Sequence, residues 1–307
     1  MTTGTQAAGP PSMLSARVLI PFMLTGTIWG STWFVITGQI DGVPAPWGVF
    51  YRFLLATPAL FIVAVLMKTR LRLTRAEQLL ALGVGLAQFS GNFLFVYNSE
   101  RFITSGIVAV MFALLMVPNA LFARVFIGER VQSGFITGSL VAIAGVALLL
   151  VHEWQAAPLG GNVGLGIVLA IGGMLSASIA NVVQANPTGR GVPMVSLLAY
   201  AMLYGTIFDL GFALVTAGPP PVPQGWQFWA GTAYLAIIGS VVTFPLHYNL
   251  VREIGAGKTA YNGIVTVCVA MLLSTLFEGY QWTALTAAGA ALALVGMGLA
   301  LRSKQKK

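Results

Sequence analysis

Ten uninterrupted apolar stretches, each near twenty residues long, dominate the 307-residue chain. A helix needs about 20 mostly apolar residues to cross the hydrocarbon core of a bilayer, so each stretch reads as a spanning helix. They run near Leu19–Ile40, Pro46–Met67, Gln78–Asn98, Thr104–Phe126, Gly134–Val151, Gly164–Ala185, Pro193–Ala217, Gln227–Leu250, Thr259–Phe277 and Trp282–Leu301. Composition closes off the alternative of a domain in water. Hydrophobic residues make up 57% and charged residues 8%, where a soluble domain carries about 25% charge. Residues 1–16 are small and polar and read as a flexible tail. The first apolar run is long, has one Arg before it and no small-residue cleavage site behind it, unlike a cleaved signal peptide.

The 16 Lys and Arg against 8 Asp and Glu leave a net charge of +8. A nucleic-acid partner would need a basic face, whereas these charges sit in the short breaks between apolar runs. Lys68, Arg70, Arg72 and Arg75 share one break, and Arg302, Lys304, Lys306 and Lys307 form a basic tail from 302 to 307. With the N-terminus inside, 14 of the 16 basic residues fall on the cytoplasmic side. The loops of the other face carry Asp41, Glu100, Glu153 and Glu278, so the positive-inside bias reads N-in and C-in. The single cysteine, Cys268, excludes an internal disulfide and a multi-cysteine metal site.

Shifting the sequence by 151 residues lays one half on the other. Tyr97-Asn98 falls on Tyr248-Asn249, Arg101 on Arg252, Ile103 on Ile254, Gly138 on Gly289, Gly145 on Gly296 and Leu148 on Leu299. The expected units are 17–151 and 163–301, joined by an outer linker at 152–162. Each holds five helices. Five is odd, so the second copy enters the membrane from the opposite side, an inverted repeat of the kind that gives many secondary transporters alternating access.

The residues that carry the repeat also carry a family likeness. Trp29-Gly30-Ser31, Arg52-Phe53 with Leu54, Leu55 and Ala56, and the run Pro118-Asn119-Ala120-Leu121 through Gly128-Glu129-Arg130-Val131 resemble the EamA module of the drug/metabolite transporter superfamily. Gly138 and Gly145 continue that segment, and Phe277-Glu278-Gly279 with Gly289 and Gly296 repeats it. Glu129 to Gly138 is two residues shorter than Glu278 to Gly289, so the two turns differ. The resemblance implies an all-α integral membrane protein of ten helices in a bacterial inner (plasma) membrane. It also implies transport without a cofactor, with amino acids, other metabolites or lipophilic cations as cargo.

Arg52 and Asp209 are the full charges well inside spans. A charge at the bilayer centre costs about 2.5–3.5 kcal/mol on the lenient insertion scale, so neither should face lipid. Both lie on the outer half of their spans, which allows a direct or water-bridged pair. Arg52 is a candidate gate or carboxylate contact and Asp209 a candidate site for a coupling proton. His247, near the cytoplasmic end of span eight, is a further gating candidate. Packing against backbone carbonyls or headgroups is the alternative for each.

Uncharged polar residues near the midplane are candidates for a substrate cavity. Gln88 and Asn92 are one turn apart on one face, as are Ser178 and Asn181. Thr32, Thr243 and Asn262 join them, and the 151-residue shift places Asn92 on Thr243. Such groups need partners in hydrocarbon, either another helix or a wet cavity. Trp29, Trp33 and Phe93 sit deep enough to line that cavity, while Trp47, Trp154, Trp226, Trp229 and Trp282 fall near span ends, where interfacial belts place tryptophan. Pro58, Pro118 and Pro245 lie within spans and are expected to kink them.

Two histidines cannot make a zinc centre without several suitably placed carboxylates, and the sequence sets none such beside them; no phosphate-binding loop of the GxxxxGK[ST] kind appears. A membrane-embedded enzyme would need a clustered acid, base or nucleophile at one face, and none is visible. The reading is therefore a secondary exporter of small metabolites, with amino acids bearing aromatic or large apolar side chains first. Efflux of lipophilic cations is the alternative, and a channel or membrane enzyme stands further off.

Overall fold

The computed structural model describes residues 15–128, 131–156, 162–184, 187–254 and 259–305. Glu129 and Arg130 of the module-like segment, Lys306, Lys307 and most of the N-terminal tail lie outside them. The described residues are helical with no strand. Ten spans follow in order: α1 (Ala16–Ile40), α2 (Ala45–Leu66), α3 (Arg75–Ser99), α4 (Ser105–Phe126), α5 (Ser133–Gln155), α6 (Val163–Gln184), α7 (Met194–Ala217), α8 (Trp226–Val251), α9 (Asn262–Phe277) and α10 (Ala284–Arg302). Nine have the length and hydropathy to cross a membrane. The shortest, α9, has 16 residues, because Thr259–Tyr261, read as its first turn, forms a separate turn.

Local chemistry sets several of the ends. Thr74 and Glu77 form a capping box that starts α3: Thr74 N donates to Glu77 at 2.7 Å and Glu77 N donates to Thr74 Oγ1 at 3.3 Å. Such reciprocal bonds satisfy two of the amides that a helix start leaves free. Gly128 closes α4 in the left-handed conformation at φ 79°, which a residue with a Cβ adopts at a cost. Pro118 interrupts the hydrogen-bond ladder of α4 at Leu114 and Leu115, which keep right-handed helical angles. Lacking an N–H, it cannot bond the Leu114 carbonyl; Val117 N takes that carbonyl at 2.8 Å instead, and the helix restarts at Met116. Pro58 leaves α2 unbroken.

Two spans contain a wider coil. Gly85–Asn92 of α3 and Tyr234–Val242 of α8 are π-helical. The 151-residue shift carries the first onto 236–243, so both copies place the wide turns at one point of the repeat. Pro245 follows the second segment, but its counterpart Leu94 is not proline, so proline alone does not cause the widening. A π-turn inserts one residue into the i→i−4 ladder and frequently marks a functional site.

The packing obeys the two-fold relation that the repeat demands. Equivalent helices meet directly: α2 with α7, α4 with α9 and α5 with α10. The other contacts come in exchanged pairs, α1 with α9 and α6 with α4, α3 with α7 and α8 with α2, α3 with α6 and α8 with α1. At the α5–α10 seam a Cβ built on Gly138 would stand 2.7 Å from the Gly296 carbonyl, and one on Gly145 2.6 Å from the Gly289 carbonyl. Gly138 and Gly289 are repeat equivalents, as are Gly145 and Gly296, so each partner's equivalent is the other's partner. Small residues admit this backbone approach where lipid supplies no hydrophobic drive between helices. The two largest core clusters each draw side chains from both repeats, one around Val49, Phe53, Phe89, Met202 and Leu235, the other around Ile107, Leu149, Met174, Val267 and Ala293.

Candidate functional site between the repeats

Helix α2 turns a stripe of Ala45, Val49, Phe53, Ala56, Leu60 and Ala64 into the core, at spacings of three and four. Arg52 flanks that stripe and is 2% exposed. Its side chain crosses to the other repeat, where Nε and Nη2 donate to Ser240 Oγ at 3.3 and 3.2 Å. Ser240 lies in the π-helical part of α8 and donates in turn to the Leu235 carbonyl at 2.9 Å, five residues back. The wide turn thus fixes the hydroxyl with a lone pair toward the guanidinium. The Phe93 ring lies 4.3 Å from the guanidinium carbon, a cation–π distance. Nη1 has no hydrogen-bond partner.

A second link reaches the same turn of α8. Trp29 Nε1 donates to the Gly239 carbonyl at 3.3 Å. A Cβ on Gly239 would meet the Thr32 methyl at 2.9 Å and Arg52 Nη2 at 3.6 Å, so glycine is what lets α1 and Arg52 close on the segment. Aromatic rings continue from there without a gap: Phe93 on Phe53 at 5.1 Å, Phe53 on Phe89 at 5.3 Å, Phe89 on Phe244 at 5.5 Å, and Phe244 on Trp29 at 5.5 Å. His247 stacks on Trp29 at 4.7 Å. Trp33 points elsewhere, onto Phe112 at 5.0 Å, with its indole N–H unpartnered.

Asp209 does not pair with Arg52; among the described residues the ion pairs are Arg17–Glu253 and Arg70–Glu77. Depth does not separate the two. Thr57 and Thr206 bring their hydroxyls to 3.0 Å where α2 crosses α7. Phe61 meets Tyr200 and Thr69 meets Ser196 on one side of that point, so the two helices run antiparallel. Arg52 and Asp209 lie on the other side, roughly 7.5 and 4.5 Å along the axis at 1.5 Å per residue. What separates them is direction. Arg52 turns to Ser240 of α8, while Asp209 is fully buried with both carboxyl oxygens unpartnered, one turn beyond the Gly205 carbonyl to which Ser90 donates at 3.1 Å.

The remaining polar candidates divide. Asn92, next to Phe93, is buried with its carbonyl oxygen unpartnered, as is the Ser178 hydroxyl; Gln88 is buried one turn before Asn92. Three others serve helix contacts instead of a cavity. Thr243 donates to the Ile238 carbonyl of its own helix at 2.5 Å, and Asn262 to the Phe22 carbonyl and Thr25 Oγ1 of α1 at 2.5 and 3.0 Å. Asn181 donates to Asn119 of α4 at 3.4 Å. Thr32 bonds the Trp29 carbonyl at 2.8 Å and offers its methyl to the site. Ser240 and Gly239 are the residues that the sequence reading missed. The available signal was Ser90, the one hydroxyl in the other wide turn. Trp47 also departs from expectation. It sits at a span end but is 1% exposed, stacked on Tyr51, whereas Trp154, Trp226 and Trp282 stand in the open.

A buried cation bridges two repeats in a bundle of membrane-length helices, the architecture of many secondary transporters. The EamA-like transporter family matches the chain twice, over residues 17–151 and 164–302, and the chain belongs to that family. Among curated proteins it is 26% identical to the "Uncharacterized inner membrane transporter YedA" of Escherichia coli (strain K12), over 88% of each chain. It is 25% identical to the "Probable terminal-alkyne amino-acid exporter" of Streptantibioticus cattleyicolor, over 94% of each. "Protein PagO" of Salmonella typhimurium is 27% identical over 46% of each chain. A solved crystal structure matches with a TM-score of 0.67, covering 94% of this chain and 98% of the other at 19% identity, a likeness of fold alone. The protein is thus a multi-pass membrane transporter of small molecules.

Proposed function

We propose that this transporter exports amino acids with aromatic or large apolar side chains across a bacterial inner membrane, by alternating access between its two repeats. The observation that carries the reading is Arg52, a buried guanidinium that, among the described residues, has one nitrogen unpartnered and no carboxylate within ion-pair reach. A planar guanidinium takes a carboxylate through paired, charge-assisted bonds. The ring series from Phe93 to Trp29 offers an apolar side chain a wall to stack on, and the Asn92 carbonyl oxygen is an acceptor for an ammonium group. The name of the Streptantibioticus relative, an amino-acid exporter, agrees with this cargo class. Contacts that run from one repeat to the other, Arg52 to Ser240 and Trp29 to Gly239, are the ones that a rocking motion would make and break.

Proteoliposomes test it. Saturable uptake and counterflow of labelled phenylalanine or tryptophan are expected, weakened about tenfold by Asn92→Ala, as expected when an ammonium loses a charge-assisted acceptor. The second reading, efflux of lipophilic cations, is favoured by one observation: the buried carboxyl of Asp209 without a partner. Uptake of methyl viologen that depends on Asp209, with amino acids ignored, would establish it and reject the first.

A further inference from the structure

The connections on one side of the bundle bring three carboxylates together. Glu100 follows α3, Glu153 ends α5 and Glu278 follows α9, and all three line one cavity of about 670 Å³. Thr104 donates to Glu153 at 2.7 Å and Ser274 to Glu278 at 2.5 Å, leaving Glu278 Oε1 and both Glu100 oxygens without a partner. Ser105 is 1% exposed, and its hydroxyl lines the same cavity unpartnered. These groups have been taken from water without being given protein partners. Unpartnered polar atoms of this kind are rare in native structures and call for a ligand or a chemical role.

We propose that this cavity is a binding site for an organic ammonium cation with an apolar or aromatic body. Charge decides the sign of the ligand: three carboxylates line the cavity with one guanidinium, Arg101, and the His152 ring, while Arg52 acts on Glu100 from outside the lining. Size decides its class. The volume falls within the range of sites for small organic molecules, and no group of His, Cys, Asp or Glu among the described residues is close enough to hold a metal ion. The walls decide its body: Tyr280 stands edge-on to His152 at 5.8 Å, and Phe102 and Ile103 line the floor beside it. A tyrosine face next to carboxylates suits a cation carried on a ring or alkyl chain. The local field agrees with this assignment. Burial, then the charge of Glu278, holds the Glu100 carboxyl well above the usual carboxylate range. Burial, then the charge of Glu153, pushes the Tyr280 hydroxyl up to about 12. A bound ammonium would offset both.

The site does not depend on which compound passes between the repeats, and its test needs no transport. The purified full chain in detergent is titrated calorimetrically with tryptamine, which has an ammonium and no carboxylate, and with indole-3-propionate, which has the reverse. Tryptamine is expected to bind at least about tenfold more tightly, and the Glu153→Gln/Glu278→Gln pair to remove that preference. The double variant touches no residue between the repeats, which separates this site from that one. Equal affinity for the two probes, or tryptamine binding unchanged in the double variant, overturns the proposal. A second measurement keeps every carboxylate. Gln281 lines the cavity and is exposed; Gln281→Cys, made after Cys268→Ala, should react with an impermeant maleimide, and tryptamine should slow that reaction several-fold. An unchanged rate overturns the proposal even where the glutamine variants fail to fold.

Discussion

At the scale of single residues, Arg52 was legible because a guanidinium inside an apolar run has one class of explanation: it must be enclosed by protein. Its partner was not. Serine occurs throughout spanning helices, and nothing in its neighbours says that Ser240 sits where the helix widens. The same ambiguity explains Thr243 and Asn262. Residue type gives the need for a hydrogen bond but not its direction, and these two satisfy it on a helix carbonyl and on α1. The geometry at Arg52 makes a sharp distinction between cations. Two of its nitrogens share Ser240 Oγ, and its plane lies over Phe93. Lysine keeps the charge but loses the fork and the flat face. Arg52→Lys is therefore expected to lower transport about tenfold or more, approaching Arg52→Leu, with both proteins reaching the membrane in normal amounts. Transport by Arg52→Lys close to that of the unmodified protein would show that charge alone suffices there.

At the scale of elements, the ten helices were readable to within a few residues, because an apolar run and a charged break are enforced by the bilayer itself. Their internal geometry was not. Pro118 announces a fault in α4, and the structure shows an interrupted hydrogen-bond ladder, with Val117 taking the orphaned Leu114 carbonyl. The π-helical turns of α3 and α8 have no signature in composition, and both pack against the opposite repeat. The α5–α10 seam is the most exacting element contact, and it was foreshadowed by glycines at matched spacing. Gly145→Val would drive a branched side chain into the Gly289 carbonyl and the Ala293 backbone. Overpacking costs about 1–3 kcal/mol even where neighbours can shift, and a backbone-to-backbone seam has little room to do so. Thermal melting in detergent should fall by several degrees, and Gly296→Val should match it because the two positions are equivalent. Gly298→Ala, which meets nothing within 4 Å, serves as the control and should not lower melting, since alanine is the better helix former.

At the scale of the whole molecule, the inverted repeat was legible from a shift of 151 residues and an odd helix count, and it separates two kinds of contact. Some lie where equivalent helices cross near the pseudo-two-fold axis, such as Thr57 of α2 with Thr206 of α7. Others join non-equivalent residues away from the axis, such as Thr32 with Gly239 beside Arg52. When two halves rock about a shared axis, points on the axis barely move, while points away from it separate and rejoin. Cross-links at the two places should therefore differ in effect. Both pairs lie close together: the Thr57 and Thr206 hydroxyls stand 3.0 Å apart, and a Cβ on Gly239 would lie 2.9 Å from the Thr32 methyl. With Cys268→Ala as background, Thr57→Cys/Thr206→Cys should oxidise and keep most of its transport. Thr32→Cys/Gly239→Cys should oxidise and lose transport until a reductant restores it. Full transport by the oxidised Thr32→Cys/Gly239→Cys protein would mean that the Arg52 side of the bundle stays closed throughout the cycle, and the two halves do not rock there.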